Sequence, residues 1–168
     1  MKNYPEALPK FLLSFKWDET SKVEEALNLL LNWSPLKSAE ALELLSWRYP
    51  DERVRYFAVS RLEQMASNEL IDYLPQLIQV LKHELYHVSS LAMMLLRRAL
   101  ADLRIGLQLF WYLRAELHGP FARRYQLLLE SYLMGCGNTV RTAIMKQVTR
   151  LECYCELIVV GWPIGNVC

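Results

Sequence analysis

The sequence has little glycine, no long apolar run and almost no net charge. Six glycines in 168 residues, with no periodic spacing, exclude a collagen-like or low-complexity chain. No apolar run approaches the roughly 18 residues that a membrane-spanning helix needs. A formal net charge of +1 gives no bulk attraction for nucleic acid or for an anionic membrane surface. We therefore expect a globular, cytoplasmic protein.

Cysteine is also scarce, and basic residues do not cluster. The four cysteines all lie in the last third of the chain, and the one-residue spacer of Cys153-x-Cys155 is shorter than that of most zinc or redox pairs. We interpret them as reduced thiols. The closest basic residues are the pairs Arg97-Arg98 and Arg123-Arg124, which we interpret as solvated faces of helices. No nucleic-acid partner is expected.

What the chain does contain is apolar residues at helical spacing. Val54, Phe57, Ala58, Leu62 and Met65 recur at i, i+3, i+4, i+8 and i+11, which is one stripe of a helix. Similar stripes follow one another from residue 6 to residue 134. No segment in that range alternates with period two for long enough to predict a strand. The fold class predicted is all-α.

Turn and capping residues divide this pattern into separate helices. Asp51, Ser89 and Asp102 each precede an apolar stripe, where an oxygen-bearing side chain accepts from the unpaired amides of a first turn. Pro75 falls inside another stripe. Because proline has no amide hydrogen to donate, it is predicted to divide that stripe into Glu69 to Leu74 and a second helix from Pro75 to about Glu84.

Two stretches of the chain resemble each other. Tyr49 to Leu62 and Ser89 to Leu100 each begin with a turn or capping residue and continue as an amphipathic helix. A shift of 37 residues superposes Arg61 on Arg98, and this length is near the lower edge of helix-pair repeats. The prediction is an α-solenoid of stacked antiparallel HEAT/armadillo-like helix pairs, an architecture typical of scaffolds.

One motif favours catalysis instead. His83-Glu84-x-x-His87 fits H-E-x-x-H, in which two histidines on one helical face bind zinc and the glutamate acts as general base. A third ligand could come from Glu116 or Glu130. However, the apolar stripe of this segment turns both histidines toward solvent, so they are predicted to be surface residues. A zinc hydrolase that uses His83 and His87 is the remote alternative; we assign no catalytic, cofactor-binding or metal residue and no cofactor.

Five blocks of the sequence resemble one known family. Their order and spacing are similar to those of the helical accessory domain (PIK domain) of phosphoinositide 3-kinase catalytic subunits, and most similar to class I enzymes. The blocks are Leu8 to Trp17, Ala41 to Arg55, Gln76 to Glu84, Arg104 to His118 and Tyr125 to Gly137.

The resemblance implies a non-catalytic scaffold for phosphoinositide signalling. In this family the domain packs against the kinase, C2 and Ras-binding domains of the same chain and, in class I, lies near a regulatory subunit; membrane contact comes only through the full-length enzyme. Residues 1–150 are expected to form this domain, truncated at its N-terminal edge, and residues 151–168 a divergent, poorly ordered tail. A free-standing helical-repeat adaptor for protein interactions is the alternative.

Overall fold

Every regular element in the described part of the chain is helical. The computed structural model describes residues 4–14, 20–33 and 36–159, and the all-α prediction is confirmed for them. Short 3₁₀ turns span Pro5–Ala7, Leu81–His83 and Glu116–His118. The α-helices are α1 (Leu8–Ser14), α2 (Thr20–Leu31), α3 (Ser38–Glu43), α4 (Glu52–Leu62), α5 (Ser67–Val80), α6 (Ser90–Ala101), α7 (Leu103–Ala115), α8 (Ala122–Gly135) and α9 (Asn138–Val159).

The chain divides into two compact units, Met1–Tyr132 and Leu133–Cys168. The boundary predicted at residue 150 lies inside α9, which continues to Val159. Residues 160–168 of the predicted tail lie outside the described residues. No helix among the residues that the structure describes combines the length and the apolar character needed to cross a bilayer.

The first unit is a stack of neighbouring helices. Helix α4 contacts α2, α3 and α6, while α7 contacts α5 and α6. This neighbour pattern agrees with the predicted stack of helix pairs. Each apolar side chain buried between helices stabilises the unit by about 1.5–3 kcal/mol. The largest fully buried side chains include Leu8, Leu12, Leu30, Leu44, Leu45, Leu62, Leu70, Leu74, Leu77, Phe110, Tyr125 and Tyr132.

The three predicted N-caps are confirmed. Each cap residue is in extended conformation, and its side-chain oxygen accepts a hydrogen bond from an amide of the first turn. These bonds fix the starting points of α4, α6 and α7. The donors are Arg53 N–H to Asp51 at 2.8 Å, Ala92 N–H to Ser89 at 3.2 Å and Arg104 N–H to Asp102 at 2.9 Å.

The predicted division at Pro75 is wrong. Helix α5 runs without interruption from Ser67 to Val80 with Pro75 inside it. A proline in a helix interior costs about 3 kcal/mol, but Leu70, Leu74, Leu77 and Ile78 are all buried along one face of the same helix. Four such side chains together outweigh the loss of one backbone hydrogen bond. Tertiary packing therefore keeps the helix continuous.

The interpretation of the two arginine pairs as solvated faces is wrong for one member of each pair. Arg98 turns inward and its Nη1 donates to the carbonyls of Glu63 and Met65, both at 2.9 Å. These carbonyls follow α4 and have no partner within the helix. Arg97 is exposed and forms an ion pair with the Glu63 carboxylate at 2.7 Å.

The second pair divides in the same way. Arg123 is exposed, whereas Arg124 is half-buried and its Nη1 donates to the carbonyl of Leu81, at the end of α5. The hydroxyl of Tyr125 donates to the carbonyl of Ile78 in the same turn, at 3.1 Å. Burial, followed by the nearby Glu116 carboxylate, raises the pKa of Tyr125 to about 12. Helix α8 thus caps the end of α5.

Gly106 lets α7 approach both α6 and α8 closely. A Cβ at this position of α7 would collide with the hydroxyl of Tyr132 in α8 and would lie 2.7 Å from the carbonyl oxygen of Ala99 in α6. Backbone carbonyls cannot move aside as a flexible side chain can. The absence of a side chain at residue 106 is therefore a packing requirement.

In the second unit, α9 begins after a glycine turn. Gly137 has φ of +80°, a left-handed conformation that other residues rarely adopt. Arg141 in α9 donates from Nε to the carbonyl of Leu133 at 2.7 Å and from Nη2 to the carbonyl of Met134 at 3.3 Å. Arg141 thereby caps the preceding helix end, as Arg98 and Arg124 do in the first unit.

Candidate functional site

The glutamate at the centre of the H-E-x-x-H motif belongs to a buried ion pair. The carboxylate of Glu84 accepts from Arg55 Nη2 at 2.6 Å and from Arg55 Nε at 3.2 Å. The two side chains are only 6% and 4% exposed. A carboxylate held by two guanidinium donors away from solvent is not available as a general base for a bound water.

Arg55 also binds the end of the preceding helix. Its Nη1 donates to the carbonyl of Leu45 at 2.9 Å and to those of Ser46 and Tyr49 at 3.4 Å. These carbonyls lie in the turn that follows α3, where the chain leaves the helical hydrogen-bond pattern. The positive charge also complements the negative end of the helix dipole. One side chain thus connects α3, α4 and the segment after α5.

Tyr49 connects α1 to the same group of residues. Its hydroxyl donates to the carbonyl of Pro9 in α1 at 2.8 Å, in a buried position. Burial, followed by the nearby Glu43 carboxylate, raises the pKa of the Tyr49 phenol. We call Tyr49, Arg55 and Glu84 the Arg55 network. Because it links four segments by directional bonds, it fixes their relative positions.

The two histidines do not share one helical face. His83 ends a 3₁₀ turn, Glu84 is already extended with ψ of 138°, and His87 follows in a loop. Both histidines are exposed. In the described part of the chain, no group of three or more His, Cys, Asp or Glu side chains is placed to hold a metal ion. This segment therefore lacks the geometry that the zinc motif requires, which is two histidines on one face of a helix.

The two glutamates considered as third ligands have other partners. Glu116 forms an ion pair with Lys82 at 3.3 Å. Glu130 is exposed and accepts from Gln126 Nε2 at 2.7 Å, one turn earlier in α8. Neither carboxylate is thereby placed with His83 and His87 as one ligand set. Of the motif's residues, Glu84 serves the buried ion pair with Arg55, while both histidines are exposed.

What the segment does present is apolar surface. Leu85, Tyr86 and Val88 are 63%, 64% and 78% exposed. We call residues 85–88 the apolar loop. The Arg55 network holds its first end through Glu84, and Ser89, the N-cap of α6, follows its other end. Adjacent exposed apolar side chains on a fixed support are typical of a surface that packs against another protein or domain.

A small pocket of about 20 Å³ lies between the apolar loop and the start of α4. Leu85 and Tyr86 line it together with Pro50 and Glu52. Arg55 and Glu84 contribute to the same pocket. The candidate site is therefore a contact surface, built from the α3–α4 turn and the α5–α6 loop, and the buried ion pair connects the two.

Comparison with known proteins identifies the family. Residues 1–145 match the phosphoinositide 3-kinase family, accessory domain (PIK domain). The chain belongs to this family. Two relatives are from Dictyostelium discoideum: phosphatidylinositol 3-kinase 1 is 44% identical over 146 residues, 86% of this chain, and phosphatidylinositol 3-kinase 2 is 45% identical over 148 residues, 87% of it. The chain spans only 9% and 8% of those relatives.

Within this PIK domain, the sequence carries one signal for the buried ion pair. Arg55 lies at i, i+3, i+4 and i+7 with Ala58, Val59 and Leu62, all of which are buried. A charged residue on the buried face of a helix requires a partner. The identity of that partner could not be predicted, because Glu84 is 29 residues away.

Proposed function

We propose that this PIK domain is a non-catalytic, rigid scaffold within a phosphatidylinositol 3-kinase catalytic chain. The observation that carries the proposal is the match of residues 1–145 to the accessory domain of this kinase family. Two relatives named as phosphatidylinositol 3-kinases are far longer than this chain. In the proposal, the lipid kinase chemistry belongs to other parts of such a protein, which acts in the cytoplasm.

The scaffold is proposed to pack against the kinase, C2 and Ras-binding domains of the same chain. The apolar loop is the surface that best fits such a contact, since Leu85, Tyr86 and Val88 would leave water on packing. Interfaces between permanently joined parts are richer in apolar surface than reversible ones. A regulatory subunit is a further proposed partner, and membrane contact would be indirect, through the full-length enzyme.

A chimeric kinase tests this proposal. Residues 1–145 replace the matching segment of phosphatidylinositol 3-kinase 1 from Dictyostelium discoideum, and lipid 3-phosphorylation is measured with the purified enzyme. We expect the chimera to be active and Leu85→Ser with Val88→Ser to lower its activity about tenfold, because buried apolar anchors dominate interface energies. The matched control is Met134→Ser, at a side chain 77% exposed in α8.

Three results would contradict the proposal. A folded chimera that is inactive with the unaltered segment would contradict the scaffold role within this kinase. Full activity with both loop substitutions would contradict the packing role of the apolar loop. Lipid phosphorylation by the isolated 168-residue chain would contradict the non-catalytic assignment.

A further inference from the structure

A second surface with different properties lies between α2 and α4. It is a groove of about 580 Å³, lined by Leu27 and Leu30 of α2 and by Tyr56 and Phe57 of α4. Phe57 is buried at 6% exposure, whereas Tyr56 is 66% exposed. The groove thus has an apolar floor and an aromatic side chain at its rim.

Arg61 lines the same groove and carries an unsatisfied donor. Its guanidinium carbon lies 4.9 Å from the centroid of the Phe57 ring. The Nε–H is buried and has no hydrogen-bond acceptor among the described residues. None of the ion pairs formed within the described ranges includes Arg61. Because this Nε atom is closed to solvent, an occupant reaches Arg61 through its terminal Nη groups, which form no hydrogen bond within the described ranges. A guanidinium without a balancing charge beside an apolar groove favours an occupant that supplies a carboxylate.

The internal repeat contains a second arginine at the position of Arg61, and this arginine has hydrogen-bond partners. Arg98 follows Arg61 by 37 residues and donates to the carbonyls of Glu63 and Met65. Both arginines lie in the last turn of their helix. The same position of the repeat is therefore satisfied in α6 and left with an unpaired donor in α4.

The charges along the groove limit the type of occupant. Arg53 forms an ion pair with Asp51 at 3.2 Å, so Arg61 is the lining arginine whose charge is not balanced within the described part of the chain. Glu52, also exposed, lines the groove near the start of α4, roughly 14 Å along the helix axis from Arg61. An apolar floor with opposite charges near its two ends resembles a reversible interface with a polar rim.

We propose that the α2–α4 groove binds an amphipathic helix of a separate protein partner. A carboxylate of that helix pairs with Arg61, and its apolar side chains pack on Leu27, Leu30 and Phe57. The helix-in-groove arrangement needs apolar anchors at i, i+3 or i+4 and i+7, which span a distance similar to that from Glu52 to Arg61. This surface is independent of the domain packing proposed for the apolar loop.

A display selection tests the groove and does not require that the partner be identified first. The probe is a library of helix-forming peptides of about 16 residues, long enough for anchors at i, i+3 or i+4 and i+7, in which apolar and charged positions are randomised. The whole chain is the target, and we expect enrichment of Asp or Glu beside apolar anchors. Binding of the selected peptides, measured by fluorescence anisotropy, is expected to weaken about tenfold or more with Arg61→Glu, because this variant removes one buried charge partner and adds repulsion.

Matched variants distinguish the loss of the ion pair between Arg61 and the peptide carboxylate from a general loss of folded structure. Arg123→Glu changes an exposed arginine of α8 and should leave the affinity within about twofold, because screened surface charges contribute little. Replacing the selected acidic residue by its amide should weaken binding to the unaltered chain but not further weaken binding to Arg61→Gln. Circular dichroism verifies that each variant keeps its helices.

Three outcomes would overturn the proposal. They are a selection that enriches no peptide, enriched peptides without an acidic residue, and equal loss of affinity with Arg61→Glu and Arg123→Glu. A loss of affinity confined to Arg61→Glu, together with coupling to the peptide carboxylate, would support it.

Discussion

Arg55 and Glu84 form a 2.6 Å ion pair across 29 residues of sequence, and this pair joins the α3–α4 turn to the apolar loop. Both side chains of the pair are buried, and Arg55 donates to three further carbonyls. Directional bonds of this kind define one arrangement of the stacked helices. The scaffold role proposed above depends on such a fixed geometry more than on any reactive group.

Breaking this ion pair should strongly destabilise the first unit. We expect Glu84→Gln or Arg55→Ala to lower the free energy of unfolding by about 3–5 kcal/mol, because the remaining partner is a buried and unbalanced charge or polar group. Urea denaturation followed by circular dichroism measures the change. Arg53→Ala is the control, since Arg53 is exposed and its pair with Asp51 contributes about 1 kcal/mol or less.

The double variant Arg55→Met with Glu84→Leu provides a further measurement. Replacing both charges by apolar side chains removes the unbalanced charge, so the free energy of unfolding should recover part of the loss of the single variants. Single variants that unfold at the same urea concentration as the unaltered chain would contradict the structural role assigned to the pair.

The neighbouring arginines Arg97 and Arg98 should differ in their contribution to stability. Arg98→Ala removes two charged hydrogen bonds to the carbonyls of Glu63 and Met65 and should lower the free energy of unfolding by about 2–3 kcal/mol. Arg97→Ala removes an exposed ion pair and should cost about 1 kcal/mol or less. Equal effects of the two substitutions in urea denaturation would contradict the inward role of Arg98.

The helices could be predicted from sequence because their signals are local. Apolar spacing and the caps Asp51, Ser89 and Asp102 each depend on residues within two turns, and they indicated where α4, α6 and α7 begin. Pro75 misled the interpretation because its cost is local, whereas the burial that exceeds it comes from other helices. The helix spacing therefore predicted the fold class better than the ends of individual helices.

The candidate site could not be predicted in the same way, because its contacts are distant in sequence. No residue near Glu84 in the sequence indicates that Arg55 is its partner. The five-residue pattern around Glu84 also fits a zinc-binding motif, although the structure does not use it as one. Arg98 and Arg124 looked like surface residues, since a pair of arginines carries no information about which member turns inward. Only the packing of neighbouring helix ends determines that choice.

Gly106 should tolerate no larger side chain. Gly106→Ala places a Cβ against Tyr132 and 2.7 Å from the carbonyl oxygen of Ala99, so the Tyr132 side chain would have to shift and α6 and α7 would have to move apart. Although alanine is the better helix former by about 1 kcal/mol, overpacking costs about 1–3 kcal/mol, and the midpoint of thermal unfolding should fall. Gly119→Ala is the control, because the nearest atom there is 3.5 Å away. A rise in the midpoint for Gly106→Ala would refute the close approach.

The cap at the start of α7 should make stability depend on pH in the acid range. Hydrogen bonds from the Arg104 side chain, and next from its backbone amide, lower the pKa of Asp102 to about 2. Because the folded pKa lies below the unfolded value of about 3.9, the contribution is complete above about pH 4 and is lost as the pH falls toward 2. Asp102→Asn keeps a capping oxygen but does not titrate. We expect the urea midpoints of the two proteins to differ at about pH 5 in favour of Asp102, and to converge at about pH 2. A difference that stays constant over this range would show that the Asp102 carboxylate is not the titrating group.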